Sequence, residues 1–350
     1  GDRAFIGIAE NERLDHPWSG NVVDLCPVGS LLSKDFLHKA RVWDLDKTGS
    51  ICPGCTQGCN ITIDMRDDAV VRLKPRPNMD VNRHFMCDHG RLDYRWMNRG
   101  DRVEAPLVRK GSGPAAADWD HALDAAGAIL QDVGGRAVIL ASGRASVESL
   151  GLVRKLADGF DVMAAVKVPL GDEAPLAGIP NLALRRERVP NLDGARLLGY
   201  TAEWASAVEA SRSAAVVIVL DADLSEGEAN SVASSSGKVI AFSTLVADWQ
   251  EQADVVLPVT TMVEESGVYI NRDQRAQRFQ QAKAPPAMAR PAWWAAGEIL
   301  AGQGPDADSP ASAAEAFSLV ARSVASLDGL SHDSLGWSGQ VVKSGAEVSA

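Results

Sequence analysis

Four cysteines constrain this chain more than any other feature. Cys52, Cys55, Cys59 and Cys87 follow the spacing C-x2-C-x3-C-x27-C, within the strings ICPGCTQGCNI and HFMCDHG. Three close cysteines let one loop wrap a cubane, each thiolate reaching a different iron, while a distant fourth closes the last corner. Gly54 and Gly58 stand between these cysteines, where the backbone must bend sharply and amide N–H groups can point at sulfur. A four-cysteine zinc site is the alternative. Zinc favours two separated C-x2-C knuckles, so a three-plus-one pattern fits it poorly. The spacing therefore predicts one [4Fe-4S] cluster held by Cys52, Cys55, Cys59 and Cys87.

The only other cysteine is Cys26, and none follows position 87. A disulfide framework would spread its cysteines through a small secreted domain; this clustering points instead to a metal site in a reducing compartment. The net charge of −11 argues against a nucleic-acid partner, because phosphate binding needs clustered Lys and Arg. No run approaches 18 apolar residues, so no membrane-spanning helix is expected. No signal peptide is visible and the first residue is Gly, so the chain is expected to begin partway through a longer gene product. At 350 residues, two to three domains are expected.

Along the chain, LLSKDFLHKA after Cys26-Pro27 has helical periodicity, and DLDKTGS reads as a turn into the cysteine cluster. NITIDMRDDAVVRLKPRPN alternates with a period of two across Asp67-Asp68, which predicts a β-hairpin at about 60–75. EAPLVRKGSGP marks a boundary near 105–114, and a helix follows in DWDHALDAAGAILQDV. RAVILASG, AAVVIVLDADLS, KVIAFST and ADVVLPVTT are short apolar runs ending in small or polar residues, as buried parallel strands do. With the helix-like SVESLGLVRKLADGF between them, they predict an open α/β sheet.

The cysteine module, the hairpin behind it and the α/β texture resemble the iron–sulfur domain and body of the molybdopterin oxidoreductase superfamily. Within it, SGNVVDLCPVGSL (19–31), VNRHFMCDHGR (81–91) and ADVVLPVTTMVEESGVYINRDQRAQ (253–277) resemble the large iron–sulfur subunits of respiratory complex I. The resemblance covers about residues 1–280 and implies a fold class: a small Cys-rich [4Fe-4S] β-hairpin domain followed by a shortened open α/β body. It implies four segments. Residues 1–44 would end an upstream ferredoxin-like domain and 45–104 would be the cluster domain. Residues 105–302 would be a degenerate α/β body, and 303–350 a weak helix with a flexible tail.

Cys26 is followed by Pro27. A Cys-Pro supplies the fourth ligand of a cluster in two-cluster ferredoxins. The resemblance implies the same role for Cys26 in a second [4Fe-4S] cluster, whose C-x2-C-x2-C run would lie upstream of Gly1. The alternative is a buried structural cysteine.

The body is expected to be catalytically empty. No cysteine follows the module, no GxGxxG occurs in ASGRAS (141–146) or LDADLS (220–225), and about 240 residues are few for enclosing a bis-pterin cofactor. The strand-end cleft is expected to be filled by side chains. His89 stands where catalytic relatives carry Lys, and is expected at the second sphere or surface; Arg91 remains a candidate to bridge cluster and pterin. RRERVPN (185–191) and ESGVYINRDQR (265–275) look like family loops of unreadable chemistry. The resemblance implies an electron-transfer subunit of NADH:quinone oxidoreductase, with the flavin/NADH subunit and the quinone-proximal iron–sulfur subunits as partners. It would be peripheral on the cytoplasmic face of the bacterial inner membrane. Two other readings stay open: a compact, formate dehydrogenase-like molybdopterin oxidoreductase, and a zinc-stabilised interaction module.

Overall fold

In the computed structural model, residues 7–8, 11–111, 113–304 and 309–342 are described. A short helix, α1 (Asn21–Leu25), precedes a three-stranded antiparallel sheet of β1 (Asp46–Ile51), β2 (Asn60–Arg66) and β3 (Ala69–Pro75), ordered β1-β2-β3. Ile61, Ile63 and Met65 alternate along β2 and are buried, so the period-two pattern forms the hairpin expected at 60–75. Its turn residues Asp67 and Asp68 both have positive φ, 49° and 61°. That is the backbone of a two-residue hairpin loop whose twist matches its strands.

The helical reading of LLSKDFLHKA is not met: residues 31–40 form turns, with His38 at φ 68°. A short helix gains most of its stability from burying an apolar face. Here Leu32 and Leu37 remain 61% and 46% exposed, so no core rewards the helix.

After helix α2 (Asp88–Leu92), the hairpin of β4 (Leu107–Lys110) and β5 (Gly113–Ala116) occupies the expected boundary and extends a larger sheet. The body then runs α3 (Trp119–Asp132), β6 (Arg136–Ser142), α4 (Val147–Lys155) and β7 (Asp161–Lys167). A two-residue ladder, β8 (Ala174–Pro175) with β9 (Ala183–Leu184), leads to α5 (Leu192–Leu197) and α6 (Trp204–Ser211). Next come β10 (Val216–Leu220), α7 (Glu226–Ala233), β11 (Lys238–Ser243) and β12 (Val255–Pro258). The seven-stranded sheet is ordered β5-β4-β12-β11-β10-β6-β7. The four apolar runs are its parallel strands β6, β10, β11 and β12, with β7 parallel beside β6.

Both faces of this sheet are covered. Val216, Ile218 and Leu220 face a core shared with α3, α4, α8 (Ala292–Ala301) and α9 (Ala313–Ala321). Val217 and Val219 face α6 and α7. A second hairpin, β13 (Gly267–Ile270) with β14 (Arg275–Phe279), sends Tyr269 and Phe279 into the core of the cysteine module. The expected tail is packed as far as Val342: α10 (His332–Leu335) buries Leu335, and β15 (Gln340–Val341) pairs with β14. A surface-covering helix and strand are held there because each has an apolar or hydrogen-bonding neighbour. Residues 343–350 lie outside the described residues.

Candidate metal centre

The loop between β1 and β2 carries three of the four module cysteines, and Cys87 caps the N-terminus of α2. All four are buried, at 5% exposure each. The loop is closed by the Cys52 amide donating to the Cys59 carbonyl at 2.8 Å and by the Gly58 amide donating to the Cys55 carbonyl. Gly58 has φ +62°, and a Cβ there would meet Asn271 and Gln277 at 2.9 Å. Gly54 needs no left-handed backbone, but a Cβ on it would lie 3.3 Å from Gly90 Cα. Gly90 is the tightest point: a Cβ would lie 2.6 Å from Cys52 Sγ and 3.8 Å from Cys87 Sγ, and its amide donates to Cys87 Sγ at 3.5 Å.

The two loops whose chemistry the sequence left unreadable hold the cysteine loop from outside. The Thr56 amide donates to the Glu187 carbonyl at 3.1 Å, and the Arg272 amide donates to the Thr56 carbonyl at 3.0 Å. Arg185 Nε donates to Gln57 Oε1 at 2.8 Å, and Asn271 Nδ2 donates to the Gln57 carbonyl at 3.1 Å. Gln277 Nε2 donates to the Gly58 carbonyl at 2.9 Å and its Oε1 accepts from Asn60 Nδ2 at 2.6 Å. Sequence reasoning missed Gly90, Arg185, Asn271 and Gln277; the available signal was Gly90 three residues after Cys87, and the two family-like loops.

Electrostatically the pocket is prepared for a cation. Burial, then Cys87 and Cys55, push the Cys52 thiol well above its ordinary value; burial, then the other three thiols, does the same to Cys59. Burial, then Cys55, pushes Cys87 up to about 12. Cys55 rises less, because the amides of Arg185 and Gln57 oppose its burial. Thiolates are the ligand form, so four desolvated thiols that raise one another call for a positively charged centre between them. Among the described residues no three or more His, Cys, Asp or Glu side chains close on a single ion.

Cys26 is not part of this pocket. It lines a separate cavity of about 800 Å³ with Asp24, Trp43 and Arg91. The Leu31 amide holds its thiol below the ordinary value against the opposing effect of burial, helped by the amides of Val28, Ser30 and Gly29. Arg91 points to the same side: it pairs with Asp24 at 2.7 Å and lies 3.6 Å from Asp88. It therefore does not bridge the cysteines to the strand ends. His89 is exposed, over Gly54 at the rim of the cysteine pocket.

The cleft expected to be filled by side chains is open. A cavity of about 450 Å³ lies at the carboxyl ends of β6, β10 and β11, bordered by Ser142, Asp221 and Thr244, with Trp96 from the cysteine module opposite. Its strand-end residues are mostly small or short, so they do not reach across. A cavity of this size suits one drug-sized ligand.

The Fe4S4 domain of molybdopterin oxidoreductases matches residues 45–99, spanning all four module cysteines, and the molybdopterin oxidoreductase domain matches 164–301. The G-type subunit of NADH-quinone oxidoreductase from Pseudomonas fluorescens is 38% identical over 157 residues, 44% of this chain and 17% of that protein. Its Streptomyces coelicolor counterpart is 33% identical over 174 residues, 48% of this chain and 21% of that protein. The Escherichia coli K12 counterpart is 35% identical over 156 residues, 44% of this chain and 17% of that protein. The chain thus spans about a fifth of the length of these relatives. Acetylene hydratase from Pelobacter acetylenicus aligns over 86% of this chain and 75% of that one, at TM-score 0.49 and 11% identity.

Proposed function

We propose that this chain, a member of the molybdopterin oxidoreductase superfamily on the branch of the G-type subunits of NADH-quinone oxidoreductase, serves as an iron–sulfur electron-transfer unit of that enzyme. Its cofactor is a [4Fe-4S] cluster. The observation that carries the ligand assignment is the pocket of four buried thiols drawn around Gly90, which leaves no room for a Cβ, with Gly54 packed tightly against it. Cys52, Cys55, Cys59 and Cys87 would hold the cluster. When bound, it takes up and releases one electron at a time. The chain's own part is to exclude water, keep four thiolates in register through the Gln57, Asn271 and Gln277 bonds, and direct amides at sulfur.

The α/β body acts as a scaffold without turnover chemistry of its own. Its partners are the other subunits of the NADH:quinone enzyme, the flavin/NADH subunit and the quinone-proximal iron–sulfur subunits among them. The unit is peripheral, on the cytoplasmic face of the bacterial inner membrane; among the described residues no helix is long and apolar enough to cross a membrane. Cys26 completes a second [4Fe-4S] cluster with a C-x2-C-x2-C run that this sequence does not contain; the four amides around its thiol support that role.

Anaerobic purification followed by iron, acid-labile sulfide and metal analysis tests the reading. About four irons and four sulfides per chain are expected. Zinc in their place would return the interaction-module reading, and pterin with molybdenum or tungsten would return the catalytic one.

A further inference from the structure

The loop RRERVPN (185–191) brings fixed positive charge to the cysteine pocket. The Thr56 amide donates to the Glu187 carbonyl at 3.1 Å and Arg185 Nε donates to Gln57 Oε1 at 2.8 Å, so residues 185–188 lie directly against the cysteine loop. Behind them, the Arg188 amide donates to the Pro169 carbonyl and the Gly171 amide to the Arg186 carbonyl, both at 2.9 Å. These bonds hold the loop from the side away from the cysteines.

Arg188 differs from the other arginines near the pocket. Arg91 stands 2.7 Å from Asp24, Arg185 stands 2.9 Å from Glu173, and Arg144 stands 3.9 Å from Asp93. Arg188 appears in no ion pair among the described residues. Its guanidinium is bonded to carbonyls instead: Nη1 donates to Arg185 O at 2.7 Å and Nη2 to Asp172 O at 2.6 Å. A Cβ on Gly171 would stand 2.7 Å from Nε and Nη2, so the missing side chain leaves the notch in which the guanidinium lies. Two carbonyl dipoles fix its orientation, but they carry no net charge to cancel its own.

That charge reaches the pocket. Burial pushes the Cys55 and Cys87 thiols up, and Arg188 opposes it at both. At His89 on the rim, burial acts first and Arg188 next. The acids in the same field act the other way, Asp93 on Cys52 and Asp88 on Cys87. Both have partners of their own: Arg144 for Asp93, and for Asp88 the Ser19 hydroxyl at 2.5 Å and the Gly20 amide at 2.8 Å.

We infer that Arg188, held by two carbonyls in the notch of Gly171, raises the reduction potential of the cluster that Cys52, Cys55, Cys59 and Cys87 would hold. The inference rests on the cluster reading above. On reduction the cube takes one electron from a one-electron donor and becomes more negative by one charge; no bond breaks and no proton moves. A half-buried cation without a counter-ion favours that reduced form, because the surrounding protein screens it less than water would. Arg188 touches no reacting atom and acts through its field alone.

The test is a dithionite titration of the full chain, purified anaerobically and followed by electron paramagnetic resonance of the reduced cluster, with iron counted in the same samples. Arg188→Gln removes the charge and keeps an N–H donor; it should weaken electron uptake about 10-fold, a potential lower by about 59 mV for one electron. Arg188→Lys restores the charge and should stay within about 3-fold of the parent. Arg186→Gln, on the exposed side of the same loop, should leave the potential unchanged. If Arg188→Gln holds no iron, Gly171→Ala decides: its methyl displaces the guanidinium from the notch and should move the reduction equilibrium at least about 3-fold. Full iron with an unmoved potential in the deciding variant, or an equal shift in Arg186→Gln, would overturn this inference and leave the cluster reading standing. A parent without iron would overturn both.

Discussion

Glu148 Oε1 in α4 lies 2.8 Å from His332 Nε2 in α10, with both side chains buried. The other oxygen of Glu148 accepts from the Val268 amide at 3.0 Å, so one carboxylate joins α4, β13 and the C-terminal segment. That segment continues onto the cysteine module. Trp337 packs against Gly49, where a Cβ would meet its ring at 2.5 Å, and the Trp337 and Ser338 carbonyls accept from Arg76 and Asn78. Residues far apart in sequence thus fasten the module to the body.

Replacing His332 with Ala removes the partner of a buried carboxylate oxygen. The cost of leaving such a group unpaired is about 2–4 kcal/mol. Urea denaturation should show a lower midpoint of that size; an unchanged midpoint would mean the contact carries no stability.

Gly90→Ala should abolish cluster binding, because the new methyl would stand 2.6 Å from Cys52 Sγ. Gly127→Ala in α3 is the control: its Cβ meets nothing within 4 Å, and helix propensity predicts a gain of up to about 1 kcal/mol. Iron content and visible absorption check both. Normal iron in Gly90→Ala would show that the pocket is looser than its geometry.

Glu265 makes stability depend on pH with a definite sign. Burial is the largest cause of its rise from the ordinary 4.5 to about 8, with Thr260 opposing and Glu148 and Glu264 adding. A carboxyl raised on folding holds its proton more tightly in the folded state. Its contribution is fully present below about 4.5 and is lost as pH rises through about 8. Glu265→Gln, which stays neutral, should therefore be more stable than the parent at pH 8 and equal to it at pH 4.5. Thermal melts at both values decide; a variant less stable at pH 8 contradicts the assignment.

The Arg102–Glu264 pair has the opposite sign. Burial pushes the Glu264 carboxyl up, but the bonds from Arg102, the Thr261 amide and the charge of Lys283 bring the net value below the ordinary 4.5. Its stability is present above 4.5 and is lost as pH falls through the lower folded value. Arg102→Met should destabilise at neutral pH by less than the about 3–5 kcal/mol of a fully stranded buried charge, because Lys283 stays 3.4 Å from Glu264 Oε1. The loss should shrink in acid as Glu264 becomes neutral. A loss that is flat from pH 7 to 3 would show that Arg102 acts through packing alone.

Local pattern was enough for much of this protein. The cysteine spacing identified the cluster module, because the reach of a short loop depends on residue count alone. Period-two alternation across Asp67-Asp68 identified the β2–β3 hairpin, and the apolar runs identified four parallel strands. Each of those signals lies in one short stretch of sequence, the longest running from Cys52 to Cys87. The tertiary structure decided what lies between distant segments. Leu32 and Leu37 follow a helical pattern, yet no core faces them. Arg185, Asn271 and Gln277 hold the cysteine loop across 128, 214 and 219 residues of sequence, a pairing no local periodicity encodes. The open strand-end cleft has the same origin: whether short side chains fill a space depends on how far apart the backbone sets its walls, and that distance is a property of the packed fold.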